Sequence, residues 1–385
     1  MSKAWMMAAA ALAAVLATPA EAAEAKRETF GTLPDGRAVG AVVLSNGHGV
    51  SARIIAYGAS IQSVILPDRV GTPADIALGY PTIADYLAKP QYLGATVGRF
   101  ANRIARGRFT LDGKAFQVPV NNGVNSLHGG TIGFDKVLWT VTAVKSLPTA
   151  SVTLRYVSRD GDQGYPGTMT VDATYSLDEQ DQLRIEYRST TDRPTIANIT
   201  NHAYWNLAGE GAAAGAMGHL VTIPADTYLP TDAGAIPTGE RKPVAGTVFD
   251  FRTAHAVGER VRDAGDEQIV FGRGYDHNWI VGDRVTPGLH LMARVVEPVS
   301  GRGFELMSNQ PGLQFYSGNF LDATSRGKAN RLYREGDAIV MEPQIFPDTP
   351  NQPAFGSARL RPGQIYRNVI VYRFTTGAGR QETRP

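Results

Sequence analysis

The stretch MTVDATYSL, Met169 to Leu177, decides the fold. Met169, Val171, Ala173, Tyr175 and Leu177 fall at odd positions, and Thr170, Asp172, Thr174 and Ser176 fall between them. Successive side chains of a β-strand point to opposite sides, so this alternation describes a strand with one face in a core and the other in water. A few residues on, LRIEYRS repeats it, with Leu183, Ile185 and Tyr187 set against Arg184, Glu186 and Arg188. Working outward, further strands are predicted at 152–157, 291–297, 303–308, 337–342 and 365–374. In RFTLDGKAFQV, Asp112-Gly113 separates two short strand-like runs. Both residues tolerate positive φ, as a two-residue hairpin turn requires. Beyond the N-terminal leader no helix of three turns is predicted, only a short one around TIADYLAK. The chain is therefore all-β.

With 385 residues and 43% hydrophobic content the chain can fill a large core. Lys plus Arg number 38 against 36 for Asp plus Glu, a net +2 without a basic block, so no electrostatic footprint for nucleic acid is present. The leader carries Lys3, the apolar run AWMMAAAALAAVLA and Ala-x-Ala sites at Ala20-Glu21-Ala22 and Ala23-Glu24-Ala25. This is the pattern of a cleavable signal peptide over residues 1–25, cut within 22–25, which places the protein in the periplasm or outside the cell. The run is too short for a membrane span and nothing later is apolar enough for one. With no cysteine the exported protein has no disulfides to support its packing. Neither the Ala/Gly stretch 209–218 nor the Pro/Gly-rich stretch 224–243 changes the composition around it. Both are predicted to be surface loops or the rims of a cleft, within one domain over 26–385.

Chemistry concentrates in GRFANRI (98–104), NSLHGG (125–130), NITNHAYWNL (198–207), GYDHNW (274–279) and IVMEPQIFPD (339–348). Asn, His, Tyr and Trp do not share a plain core strand, because a buried amide without a partner costs about 1–3 kcal/mol. Glu342 ends an apolar strand, where a carboxylate needs a partner or a task. Of the seven histidines, His128, His202 and His277 lie in these clusters. Blander roles are open to several residues: Asp276-His277-Asn278 as an Asx turn, Arg99 and Arg103 as ion-pair partners. No phosphate-binding loop, zinc-protease helix or serine elbow occurs, and no local ligand spacing supports a metal.

Taken with YLGATVGRFANRIARG, NNGVNSLHGGTIGFDKVLWT, DTYLPTD, FDFR, QPGLQFYSGNFLD, EPQIFPDTPNQP and LRPGQIY, these clusters resemble the aldose 1-epimerases, or galactose mutarotases, from about Phe30 to about Phe374. The resemblance implies a large single-domain β-sandwich with a free aldose, such as galactose or glucose, bound in an open cleft across one sheet. It implies that Glu342 is the general base, His202 the general acid and His128 a second histidine beside the ring oxygen. It also puts Asn102, Arg103, Asp276 and Gln310 on sugar hydroxyls and Tyr204 beside the catalytic histidine. Asn198, Asn201 and Asn206 would hold the strand and the imidazole, and Asp276 would raise the pKa of His202. No metal or organic cofactor is implied, and the assembly is expected to be a monomer or homodimer. Two other classes compete: a glycosidase using Asp276 and Glu342 as paired carboxylates, and a sugar-binding protein without catalysis.

Overall fold

The strand Met169–Leu177 is buried at every odd residue and half-buried at every even one, as its sequence predicts. In the computed structural model, which describes residues 23–377, it lies inside a nine-stranded sheet. In spatial order the strands are Thr140–Lys145, Ala150–Ser158, Met169–Leu177, Gln182–Thr191, Tyr366–Thr376, Arg302–Ser308, His290–Val296, Leu220–Thr222 and His255–Ala256. The Asp112-Gly113 hairpin forms, with Leu111 opposite Lys114 and φ of 51° and 75° at the turn residues. The helix predicted around TIADYLAK spans Ile83–Ala88 and is capped by Thr82, whose side chain accepts from the Asp85 N–H. A second short helix, Glu267–Gly272, was not predicted; its cap, Asp266, accepts from the Gln268 N–H. Most of the signal peptide predicted over residues 1–25 lies outside the described residues. Among the described residues no helix is long and apolar enough to cross a membrane.

A second sheet of six strands stacks on the first, in the order Tyr204–Trp205, Ile339–Gln344, Gly312–Tyr316, Asp276–Ile280, Thr227–Leu229 and Lys242–Pro243. Three expectations change here. Asp276-His277-Asn278 is strand, not an Asx turn, because it pairs on both sides, with Thr227–Leu229 and with Gly312–Tyr316. The stretch 224–243 is not all loop either, since it supplies the two strands at one edge of this sheet. The strand predicted over 337–342 is shifted by two residues, to Ile339–Gln344, so Glu342 stands inside it rather than at its end.

Every residue of Ile339–Gln344 is buried. Its odd residues face the nine-stranded sheet: the Tyr372 hydroxyl approaches the Met341 carbonyl at 3.4 Å, and Trp205 packs on Tyr372 with ring centroids 4.7 Å apart. A third sheet of five strands, from Glu24–Thr32 to Pro73–Asp75, packs against Ala150–Ser158 and Met169–Leu177 of the nine-stranded sheet. One hydrophobic cluster runs through all three sheets, from Ala23 to Phe374. Of the even residues, Val340 still joins this core, whereas Glu342 and Gln344 lie outside it, and there the polar side chains collect.

Candidate active site

Residues directly opposite each other on neighbouring strands share a face. Asn278, Gln314 and Glu342 are such partners and form one row across the six-stranded sheet; Asp276, Tyr316, Val340 and Tyr204 form the next. His202 enters beside them on Thr200–His202, which pairs with Ala95–Val97. Its Nε2 lies 3.7 Å from Glu342 Oε1. The His128 ring stands 5.2 Å from that of His202, nearly perpendicular to it, and the Tyr204 ring lies 5.0 Å from His202 on another side.

Backbone geometry aims His128. Its φ is 51° and that of Asn102 is 58°, both in the left-handed region that side chains rarely occupy. The two loops exchange hydrogen bonds: the His128 N–H donates to the Asn102 carbonyl, and the Asn102 N–H donates to His128 Nδ1 at 3.2 Å. An Nδ1 that accepts leaves the ring hydrogen on Nε2. His128 therefore presents a donor to the cleft. Arg103 follows; its Nη1 stands 3.6 Å from Asp276 Oδ2 and its Nε donates to Asn122. The other Asp276 oxygen accepts from the Gln314 amide at 2.9 Å, and the Gln314 oxygen accepts from Asn278.

Burial dominates the electrostatics. His202 is pushed down to about 4, burial outweighing the raising effects of its own backbone and of Asp276. The expectation that Asp276 would lift this imidazole is thus corrected: its charge acts in that direction and loses to desolvation. His128 falls well below the usual imidazole range, first through burial and then through His202, Arg103 and Lys136. Glu342 rises well above the usual carboxylate range, through burial and then the Asp276 charge, with Arg103 opposing.

The structure brings Asn102, Arg103, His128, His202, Tyr204, Asp276 and Glu342 together and leaves Gln310 apart. The Gln310 amide donates to Asn309 and to the Arg367 carbonyl, and its backbone meets His290, which lines a separate cavity of about 720 Å³ with Pro224 and Arg284. Gln314 occupies the glutamine position beside Asp276 instead. The two glutamines are four residues apart and share a parity, so alternation cannot separate them; the pairing of Gln314 with Glu342 does. His277 also turns away: it is the core-facing neighbour of Asp276, with Phe249 4.8 Å from its ring. Arg99 is no ion-pair partner. Its guanidinium is buried among the carbonyls of Ser158, Arg159, Pro166 and Gly167 and the hydroxyl of Ser158. The asparagines hold strands but not the imidazole: Asn198 donates to the Ala101 and Ile345 carbonyls, Asn201 to Gly94, and Asn206 accepts from Ala208. Tyr92 and Tyr316, which lie in two of the quoted motifs but take no role from them, complete the surroundings of His202 at 5.7 and 6.4 Å.

Potential ligand atoms of His128, His202 and Glu342 lie within 4.8 Å of one another, close enough to hold a metal ion. The hydrogen-bond pattern argues against that use. The His128 nitrogen turned to the cleft carries the hydrogen, so ligation would cost either that proton or the bond from Asn102.

The aldose 1-epimerase family model matches residues 40–373. The chain is 42% identical over 349 residues to mouse galactose mutarotase, covering 91% of this chain and 98% of the relative. It is 36% identical over 353 residues to the aldose 1-epimerase of Escherichia coli, covering 90% and 98%. Among solved structures it is similar to the galactose 1-epimerase of Lactobacillus acidophilus, with a TM-score of 0.81 at 28% identity over 93% of this chain and all of that one. The GalM/aldose epimerase homologue of C. elegans gives 0.80 at 32% identity over 88% and 100%. The strand-built architecture, the buried His202–Glu342 pair and these likenesses agree: the chain belongs to the aldose 1-epimerase family.

Proposed function

We propose that this chain interconverts the α and β anomers of a free aldose, galactose or glucose, with Glu342 and His202 as the proton-transfer pair. The observation that carries this reading is the 3.7 Å approach of His202 Nε2 to Glu342 Oε1 on a buried polar floor. Glu342 takes the proton of the C1 hydroxyl while His202 gives one to the ring oxygen O5. The C1–O5 bond breaks, its electron pair stays on oxygen and C1 becomes an aldehyde carbon. Rotation about C1–C2 presents the other carbonyl face, and the steps reverse. His128 donates from Nε2 toward the ring oxygen, and the Arg103–Asp276–Gln314 chain holds the remaining hydroxyls.

The pair needs one proton in total. Burial favours Glu342 protonated with His202 neutral. Shifting that proton to the imidazole produces the carboxylate base and imidazolium acid without exchange with solvent. No metal or organic cofactor enters these steps.

Incubation of the protein with crystalline α-glucose in a polarimeter tests the reading. Faster decay to the normal equilibrium rotation is the expected result. New reducing ends released from a glycoside would make the protein a hydrolase, and neither signal would make it a binder.

Export to the periplasm belongs to the same proposal and rests on the leader. Ala23 is buried and Glu24 opens the first strand of the five-stranded sheet. Cleavage after Ala22 keeps that strand whole, whereas cleavage after Ala25 trims it. N-terminal sequencing of secreted material is expected to begin between Ala23 and Lys26; a full-length cytoplasmic product would count against export.

A further inference from the structure

An imidazole that moves protons is usually held by a partner on its second nitrogen. Among the described residues His202 finds none in another residue: its Nδ1 is buried without such a hydrogen bond, and the backbone group that influences it is its own carbonyl. Its orientation toward Glu342 must come from packing. Tyr204 and Tyr316 flank it from the six-stranded sheet, and His128 meets it nearly at right angles. The remaining wall is Tyr92. Its ring centroid lies 5.7 Å from that of His202 and 4.8 Å from that of His128, so one side chain touches both imidazoles.

Three features fix this ring. Its backbone is left-handed, φ 59°, a conformation that costs a tyrosine and persists only where the surroundings impose it. Two residues on, the Gly94 N–H donates to the His202 carbonyl and the Gly94 carbonyl accepts from the Asn201 amide. A side chain at Gly94 would lie 1.9 Å from the Ile61 carbonyl oxygen, so the loop must press against the neighbouring strand. Lys136 Nζ then stands 5.7 Å from the outer face of the Tyr92 ring. The loop is thus clamped to the histidine's own strand.

We propose that Tyr92 is a positioning residue of this site, whose ring fixes the angle between His128 and His202 and keeps water from both. This rests on the proposed epimerase reading. The ring, not the hydroxyl, performs the task, since among the described residues no hydrogen bond ties the hydroxyl to the site. The charged and titratable groups around the two imidazoles, besides Tyr92 itself, are Glu342, Asp276, Arg103, Lys136, Tyr204 and Tyr316, and all of these remain when Tyr92 is replaced.

Tyr92→Asn is the informative variant, because asparagine accepts left-handed backbone and removes the ring. It should fold, with the relieved backbone offsetting part of the lost ring packing, and lower kcat roughly 10- to 100-fold, the penalty of a loosened catalytic geometry, with KM within about threefold. The His202 imidazole titration, followed by NMR, should move up from about 4 toward the ordinary histidine value as water enters. Tyr92→Phe should match the parent in both. A folded Tyr92→Asn protein with parental kcat and titration would overturn the proposal. So would an unfolded one, because the ring would then be structural, and so would a Tyr92→Phe as slow as Tyr92→Asn, because the hydroxyl would then be the acting group. The titration needs no turnover. A shifted imidazole in a protein whose parent does not equilibrate anomers would sink the epimerase reading while leaving the positioning role intact.

Discussion

In Met169–Leu177 the odd residues enter the core and the even ones, from Thr170 to Ser176, meet solvent, whereas in Ile339–Gln344 both sets are buried. The first strand packs one face and wets the other, so hydropathy alone assigns its sides. The second lies between the core and the floor of a cleft: Ile339 and Met341 face inward, and Glu342 and Gln344 face a polar layer that is itself shielded from water. Alternation thus survives in the second strand as chemistry rather than as exposure. A buried carboxylate in an apolar strand marks a site because desolvation would otherwise remove it.

The largest break in the comparison comes from the cleft face. Glu342→Gln and His202→Asn should each lower kcat by roughly 10² to 10⁴, the usual contribution of a positioned acid or base, with folding intact by circular dichroism. Combined, they should cost much less than the sum of the two free energies, as groups acting as a unit do. The parent's kcat/KM should be bell-shaped in pH. Two protons on the pair block the base, and none leaves no acid. Since burial lowers His202 to about 4 and raises Glu342, the acid limb belongs mainly to imidazole protonation and the alkaline limb to the carboxyl, the reverse of the order for free side chains, with both apparent values belonging to the pair. Stability follows the same signs. Glu342, raised on folding, contributes fully below the unfolded carboxylate value and loses that contribution as pH rises through its folded value. Glu342→Gln should therefore gain stability relative to the parent as pH rises above the unfolded carboxylate value. A parental rate in folded Glu342→Gln would remove the glutamate from the base role.

One residue away, on the other face, Met341→Ala should destabilise by about 2–5 kcal/mol, the range for emptying a packed core position, while the protein that remains folded keeps its kcat. A fall in kcat without loss of stability, measured by urea melts beside polarimetry, would show that the two faces of this strand are not separate in function.

A smaller effect sharpens the cleft face itself. Gln314→Ala removes the amide that holds Asp276 and should raise KM about tenfold, on the order of one hydrogen bond to a charged group. Gln310→Ala, whose amide serves Asn309 and the Arg367 carbonyl, should leave KM unchanged. The opposite result would return the sugar contact to Gln310. The smallest change is expected on the wet face of the nine-stranded sheet, where Thr174→Val loses a 2.9 Å contact with Thr153 and should alter stability by no more than about 0.5 kcal/mol in a urea melt.

Sequence by itself determined the all-β class, the strand from Met169 to Leu177, the Asp112-Gly113 hairpin and the anomalous polarity around His202 and Glu342. Each of these is local: alternation, turn chemistry and a polar residue in an apolar run are all written within ten neighbours. Tertiary structure decided what depends on pairing between distant strands. Register put Gln314 rather than Gln310 opposite Glu342 and turned His277 into the core while its neighbours Asp276 and Asn278 faced the cleft. Left-handed backbone at Tyr92 and His128, imposed by contacts from other loops, set two rings against His202. The proton affinities of His202 and Glu342 were decided there too, because burial is a property of everything folded around a residue and not of the residues beside it in the chain.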